Sequence, residues 1–405
     1  MNVFVSILGL GFLILVHEAG HFFVARAVGM NPRKFYLGFP PAVAKTRRNG
    51  IEYGIGAIPL GGYVKIPGMH RPAAGDLDFH LGRAVAEAPA LTSAVEELRR
   101  RLEDGDHPRA REAVAAVRSE VEATQLSPAA AKAAERGLTD IEDALGPDAY
   151  WRARTWKRVA VIFAGPGANL LLAVILFAGL FVATSGSLRL GFVLGADDQG
   201  APTRVVQEVA ADTPAESAGL RAGDSIVAID GRALAADEIR DAIAGSEGRT
   251  LTVTVERDGE RVELRPVRPE QTGDYGAAES VWQALRITGL VTKEIGATVG
   301  RLVTGDGRDE IASPVGIVQG SSQAAEQGAD NYLWVLGLIS LSLALLNLLP
   351  LLPLDGGHIA FSLIEGVRRK AVAREVYERV SVVGIALVLL LFFIGLSNDI
   401  GRLGS

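Results

Sequence analysis

The sequence predicts a polytopic α-helical membrane protein of about four transmembrane helices. It also carries an inserted extracytoplasmic α+β domain and a cytoplasmic helical insertion. Three observations predict this. The 405 residues are 48% hydrophobic, and the apolar residues gather in four blocks instead of spreading evenly. Lys and Arg cluster in the loops on one side of those blocks, and a mostly acidic segment lies on the other. One apolar block holds two histidines and a glutamate, groups that are costly in lipid unless they have work to do there. The net charge of -6 is too weak to suggest nucleic-acid binding. With no cysteine, disulfides and cysteine-ligated metals are excluded, and the redox compartment is left open.

The four blocks cover about 3–25, 159–187, 332–349 and 380–396. Each approaches the roughly 20 residues needed to cross about 30 Å of hydrocarbon. Helices buried in a large soluble core are the alternative, and that reading has to explain all four at once. The first block lacks a basic n-region and a small-residue cleavage site, so it is expected to be a span, not a secretory signal. Arg26, Arg33, Lys34, Arg47, Arg48, Arg152, Arg154, Lys157 and Arg158 flank the first loop; Arg368, Arg369, Lys370, Arg374 and Arg379 fill the third. Positive-inside bias places both loops in the cytoplasm, segment 189–331 outside, and both chain ends outside. The expected division is a first span (1–30), a hairpin loop (31–69), a helical insertion (70–150) and a second span (151–188). A small domain (189–270), an amphipathic juxtamembrane region (271–331) and a third span (332–358) follow. A cytoplasmic loop (359–379) and a fourth span with the C-terminus (380–405) complete it.

In "LILVHEAGHFFVA" His17 and His21 are four residues apart, so a helix puts them on one face where they can grip one metal ion. Neutral imidazole is a good zinc ligand. Glu18 is placed to take a proton from a metal-activated water. The bland alternative is that these side chains only make interhelical hydrogen bonds.

Two histidines leave a catalytic zinc site one protein ligand short. The third span ends in "NLLPLLPLDGGH", where Pro350 and Pro353 cannot continue a helical ladder. The backbone is therefore expected to break and turn back, aiming Asp355 into the bundle, with Gly356 and Gly357 permitting a tight turn. His17 lies roughly 21 Å along its helix and Asn347 roughly 22 Å along its own, at about 1.5 Å per residue. Both points then fall in the cytoplasmic half of the membrane. His358 is a further possible ligand, but its position past the glycines suits an interfacial or supporting role better.

HEAGH in the first span with NLLPLLPLDGGH in a late one resembles the site-two protease family of intramembrane zinc metalloproteases, of the bacterial regulator-of-sigma type with a single PDZ domain. "GIGAIPLGGYVKIPG" (Gly54 to Gly68) is similar to the family's membrane-associated β-hairpin loop. "WKRVAVIFAGPGANLLLA" resembles its second core span, with Asn169 in the GPxxN position, and "SPVGIVQ" resembles the stretch before its third. Carried over by position, the resemblance implies Zn2+ held by His17, His21 and Asp355, with Glu18 as general base. Asn347 aligns with an asparagine implicated in holding substrate, and Asn169 joins it in substrate binding. Pro353 stands one residue later than in many members, which implies a local difference in the turn.

The acidic segment reads as a small α+β domain. "SAGLRAGDSIVAIDGR" offers a glycine turn, an apolar strand and an Asp-Gly turn, and "LTVTVERDGERVELRPV" alternates about Asp258-Gly259 as a hairpin does. From about 190 to 269 this resembles a bacterial PDZ domain, which either binds an extended peptide or gates bulky substrates; gating is weighed slightly ahead. Val281, Leu285, Thr288, Val291, Ile295, Val299 and Leu302 keep helical spacing, predicting an amphipathic helix on the membrane surface or the domain's base.

The glycine-rich stretch 51–66, including Gly54 and Gly56, is expected to offer a strand edge to an unwound substrate; the alternative is a loop that caps the bundle. A helix hides its peptide bonds, so hydrolysis needs a locally extended chain. Segment 83–146 departs from the family and predicts two or three cytoplasmic helices. Leu91, Val95, Leu98 and Leu102 keep helical spacing, as do Val114, Val117 and Val121, and then Leu138, Ile141 and Leu145. A solvated structural insertion is preferred to a partner-docking one. His70, His80 and His107 lack ligand spacing and are read as solvated.

The expected function is intramembrane zinc endoproteolysis. By resemblance, the substrates are single-span membrane proteins already trimmed outside by an upstream site-one protease that need not be bound, such as anti-sigma factors or signal-peptide remnants. That implies regulated intramembrane proteolysis in a bacterial cytoplasmic (inner) membrane, with the lipid bilayer as a constant partner and no nucleic acid. The active site would lie toward the cytoplasm and the PDZ domain outside. A catalytically inactive PDZ scaffold and a metal transporter are the competing readings. The intact HExxH and Asp355 count against the first, and the PDZ-like domain against the second.

Overall fold

The computed structural model describes residues 2–185, 188–196, 202–236, 238–271, 275–304, 311 and 313–403. In chain order, α1 (Asn2–Ala27) leads to two long strands, β1 (Lys34–Arg48) and β2 (Ile51–Lys65). Four helices follow: α2 (Gly75–Glu87), α3 (Thr92–Glu103), α4 (His107–Ala123) and α5 (Pro128–Leu145). Next come α6 (Thr155–Ala183), β3 (Leu188–Arg189), β4 (Phe192–Ala196), β5 (Pro202–Val209), α7 (Pro214–Ala218), β6 (Ser225–Ile229) and β7 (Arg232–Ala233). Then α8 (Glu238–Ala244), β8 (Val253–Arg257), β9 (Glu260–Glu263) and β10 (Glu270–Gln271) complete the β-rich part. The chain ends with α9 (Ala277–Thr304), α10 (Pro314–Glu326), α11 (Ala329–Asn347), α12 (Asp355–Arg368) and α13 (Arg374–Leu403).

Four stretches are long and apolar enough to cross a bilayer: Val3–Ala27, Thr155–Ala183, Ala329–Asn347 and Val376–Gly401. They are not core helices of a soluble protein. Phe4, Leu8, Leu171, Ile175, Leu390 and Phe393 all point outward, exposed, as a lipid-facing helix requires.

The chain forms two compact units. One comprises Ile14–Ala168 and Asn347–Gly384. Its two strands do more than form a simple hairpin. Ala44–Arg48 pairs with Ile51–Ile55 across Asn49-Gly50, whose φ values of 51° and 79° are those that an Asn-Gly hairpin turn demands. Lys34–Leu37 then pairs with Glu52–Ile55 and also with Gly62–Lys65. The strand 52–55 is therefore flanked on both sides, and Gly62–Lys65 is marginal.

Segment 83–146 holds three complete helices, α3 to α5, as the sequence reading allows. It also holds the end of a fourth, α2, which that reading did not include and which starts at Gly75. Both α4 and α5 are capped: Asp106 accepts from Arg109 N, and Ser127 accepts from Ala130 N with Pro128 at the first helical position. The unforeseen break is at Pro89, which separates α2 from α3. Leu91, Val95, Leu98, Leu102, Val114, Val117, Val121, Leu138, Ile141 and Leu145, the residues predicted to face inward, form one core with Leu77 and Leu81. Fully burying a Leu contributes roughly 1.5–3 kcal/mol, so this core accounts for the bundle's cohesion. Ion pairs tie the bundle to the strands: Arg33 Nε to Asp143 at 2.8 Å, Arg33 Nη1 to Asp148 at 2.9 Å, and Lys65 Nζ to Asp140 at 2.5 Å. The neck is closed by Tyr150 N donating to Pro67 O at 2.9 Å and Trp151 N to Gly68 O at 3.1 Å.

The other unit comprises Met1–Leu13, Asn169–Leu346 and Ile385–Ser405. Its sheet runs β4-β5-β6-β8-β9, with β7 on β6. Leu190, Val206, Ile226, Ile239 and Val255 belong to its core. The hairpin β8–β9 turns at Asp258-Gly259, both at positive φ (54° and 83°), as their sequence implies. Asp224, buried at the head of β6, takes a two-pronged bond from Arg257 at 2.7 Å for each prong and one from Arg221 N at 2.8 Å. Burial pushes the Asp224 carboxyl up, but Arg257 and the Arg221 amide outweigh it and hold it below the usual carboxylate range.

Helix α9 corrects the first turns of the expected seam and keeps its middle. Thr288 is buried and Val291 packs inward as expected, but Val281 and Leu285 are exposed, and Ser280 and Ala284 are buried in their place. Ala284, Ile287 and Val291 pack with Ala173, Phe177 and Leu341 of α6 and α11. Ala284 and Ala173 let the helix backbones approach, and the larger side chains fill the space around them. The side chains of Val299 and Leu302 lie outside the described residues. At the far end Asp399 accepts from Ser313 N at 2.9 Å and Gly316 N at 3.0 Å, fixing the start of α10.

Candidate metal centre

The helix α1 puts His17 and His21 one turn apart, with Nε2 atoms 3.2 Å from each other. The chain breaks at the double-proline turn as expected. Helix α11 ends at Asn347, Leu354 N donates to Leu351 O at 2.8 Å, and α12 starts at Asp355. Asp355 Oδ2 then lies 3.1 Å from His17 Nε2 and 3.3 Å from His21 Nε2. Among the described residues this is the group of His, Asp and Glu side chains able to hold a metal ion. As the first residue of α12, Asp355 also sits where the helix dipole favours an anion.

The donor set fits zinc. At a bond length of about 2.1 Å the edges of a tetrahedron measure about 3.4 Å, close to the three separations found here. The tautomer fits as well. Nδ1 of His21 donates to Val161 O at 2.8 Å, so Nε2 carries the lone pair toward Asp355 and His17. A cation at that point satisfies all three atoms.

Backbone glycines shape the centre, and sequence reasoning passed over two of them, Gly165 and Gly384. A Cβ on Gly165 of α6 would overlap Nε2 of both His21 and His17. A Cβ on Gly62 would come 2.7 Å from Glu18 Cγ, so β2 lies directly on the Glu18 side chain. A Cβ on Gly356 would strike the carbonyls of Leu348 and Leu349, and one on Gly384 of α13 would strike that of Leu352. The available signal was a lone glycine inside an apolar span, which marks close packing more often than flexibility. Helix α12 is held further by Arg158 to Glu365 at 2.6 Å and by Tyr150 Oη to Ser362 Oγ at 3.0 Å.

The remaining predicted residues are placed as follows. Glu18 is buried beside His17 on α1. Asn347 closes α11 half-buried. Asn169 belongs to the other unit, fully buried, its carbonyl accepting from Ser340 Oγ at 2.8 Å. Gly54 is covered by the Tyr36 ring and Gly56 is buried against Gly38 and Phe39, both on the strand already flanked on each side. That strand has no free edge at Gly54 for another chain. His358 is apart from the ligand group, its ring 6.4 Å from that of His70, which meets Tyr377 edge-on at 5.3 Å. His107 is not simply solvated but half-buried against Trp151, and His80 is half-buried under Gly137.

Comparison with known proteins agrees with this geometry. The profile of peptidase family M50 matches residues 5–391. A provisionally named zinc metalloprotease of Agrobacterium fabrum is 29% identical over 427 residues, 98% of this chain and 95% of that one. One of Rhizobium meliloti, named in the same way, is 30% identical over 422 residues, 96% and 94% of the two chains. Zinc metalloprotease Rip1 of Mycobacterium tuberculosis is 29% identical over 414 residues, 88% and 83%.

Proposed function

The chain belongs to peptidase family M50, the site-two proteases, and from that premise we propose that this zinc metalloprotease cuts the transmembrane segments of single-span membrane proteins. The observation that carries the reading is the triangle of His17, His21 and Asp355, in which two histidines of an apolar helix meet an aspartate from near the other end of the chain. These three side chains would hold the zinc. When bound, zinc supplies Lewis acidity that polarises the scissile carbonyl and makes water acidic enough to lose a proton. Glu18 accepts that proton on its carboxylate and returns it to the leaving amine. The carbonyl of Val161 keeps His21 in the tautomer that ligates. Asn347 and Asn169 hold the substrate. Strand pairing for the unwound segment passes from the flanked strand of Gly54 and Gly56 to the margin at Gly62–Lys65, next to Glu18.

The membrane context extends the reading. Basic loops lie in the cytoplasm of a bacterial inner membrane, with the catalytic level toward that side. The β-rich segment 190–269 is an extracytoplasmic PDZ domain that gates access. Its substrates have been shortened outside by an earlier protease, as anti-sigma factors and signal-peptide remnants are in regulated intramembrane proteolysis. The intact ligand set does not favour an inactive scaffold.

The test uses full-length protein in detergent, with a single-span model substrate and its Glu18→Gln variant. Both forms are expected to hold one zinc, and the variant to cleave about 100- to 10,000-fold more slowly. Cleavage by the variant at the normal rate would remove Glu18 from its role. A wild type that holds zinc and cuts no membrane segment would refute the substrate class.

A further inference from the structure

The helical insertion pairs its arginines with care. Arg83, Arg99, Arg100, Arg101, Arg109 and Arg118 each meet a carboxylate. Arg71, Arg111, Arg136 and Arg152 meet none among the described residues. Arg136 stands alone and exposed on α5, whereas the other three converge on one place. A cavity of about 460 Å³ at the neck of the bundle is lined by His107, Arg111 and Arg152, with Glu112 as its acidic member. Arg71 stands at its edge, donating from Nη2 to His107 Nε2 at 3.3 Å. Trp151 holds two of the guanidiniums in place, Arg71 at 5.3 Å and Arg152 at 5.4 Å from its ring centre. Because Arg71 only donates, His107 Nε2 accepts and its proton sits on Nδ1, which is buried without a partner. The nearby start of α4 is already capped by Asp106, which also pairs with Arg109, so the cluster works through side chains.

We infer that this neck cavity is a binding site for a phosphoryl anion, taken up by Arg71, Arg111, Arg152 and His107. Planar guanidiniums grip phosphate oxygens two at a time, and three around one concavity exceed what Glu112 neutralises. Two sources carry such a group. One is an anionic phospholipid headgroup, within reach because Arg152 is three residues before α6 and the exposed Trp156 follows it. The other is a small soluble phosphate. The inference stands apart from the catalytic reading, since none of these residues belongs to the metal centre.

The experiment uses full-length protein purified in neutral detergent, as wild type, Arg111→Gln/Arg152→Gln, and Arg136→Gln as an exposed-arginine control. In one arm, inorganic phosphate is titrated by calorimetry at constant ionic strength. In the other, phosphatidylglycerol retained from mixed phosphatidylglycerol–phosphatidylcholine nanodiscs is counted by native mass spectrometry. Hydrogen exchange over 107–112 and 148–153 is followed in both. Wild type and the Arg136 variant are expected to bind at least tenfold more tightly than the double variant in at least one arm, with added protection in those segments. Binding in the phosphate arm identifies a soluble ligand, and binding in the lipid arm alone identifies a headgroup. Equal binding by wild type and the double variant in both arms, or binding in neither, overturns the site.

Discussion

Nδ1 of His21 donates to the carbonyl of Val161, 140 positions further along the chain, at 2.8 Å. The bond makes α6 part of the metal centre although α6 contributes no ligand. It also implies that metal loading depends on α6 staying in register with α1. Removing zinc with a chelator should abolish proteolysis while leaving helical circular dichroism intact, and zinc should restore it. His21→Ala should weaken zinc binding by on the order of 100-fold or more. Normal zinc content in that variant would exclude His21 as a ligand.

Gly165 is the sharpest steric test of the same arrangement. In Gly165→Ala the new methyl overlaps both imidazole Nε2 atoms, so α6 must move away from α1 or the imidazoles must turn. Zinc occupancy and activity should both fall at least tenfold. Gly179→Ala, on the same helix with open space around it, should match wild type in both. Equal behaviour of the two variants would contradict the packing described.

The clamp between bundle and strands can be loosened at one residue. Asp143 accepts from Arg33 and lies 3.4 Å from Lys65, so Asp143→Asn weakens both links. Because Arg33 and Lys65 are partly exposed, a loss of about 1 kcal/mol is expected. Hydrogen exchange in 33–37 and 62–66 should quicken roughly fivefold, by the same energy. Unchanged exchange there would show that the bundle does not hold the strands.

The β-rich domain should lose stability in acid through Asp224. Its carboxyl is held below the usual range in the fold, so its contribution is fully present above the unfolded value of about 3.9 and fades as pH falls through the folded value. Protection of Ile226 and Val255 amides, corrected for intrinsic exchange, should drop between pH 6 and pH 3 in the full-length protein. Asp224→Asn should cost about 3 kcal/mol at neutral pH, because it leaves Arg257 uncompensated, and should flatten the acid dependence. Equal protection at both pH values would assign the stability elsewhere.

Much of this architecture is legible because its signals are local. The apolar blocks give the long apolar helices, HExxH gives two of the three grouped side chains, and the prolines before Asp355 give the break that brings the third beside them. The inward residues of the insertion are readable for the same reason, since a 3.6-residue period needs no knowledge of the partner helix. What stays hidden is tertiary. The folding-over of β1 and β2, which encloses Gly54 and Gly56, depends on which strand meets which. The buried seam of α9 starts with Ser280 and Ala284, where hydrophobicity points to Val281 and Leu285. Val161 acts through its backbone carbonyl, which no side-chain pattern announces, and Gly165 and Gly384 matter for the atoms they lack.

The neck formed by Pro67 and Gly68 with Tyr150 and Trp151 brings the two ends of an 80-residue excursion side by side. A cassette joined at such a pinch point can be enlarged, trimmed or exchanged between lineages without redirecting the polypeptide on either side. A short Gly-Ser bridge in place of 70–148 should therefore yield a miniature protein whose zinc content matches that of the parent.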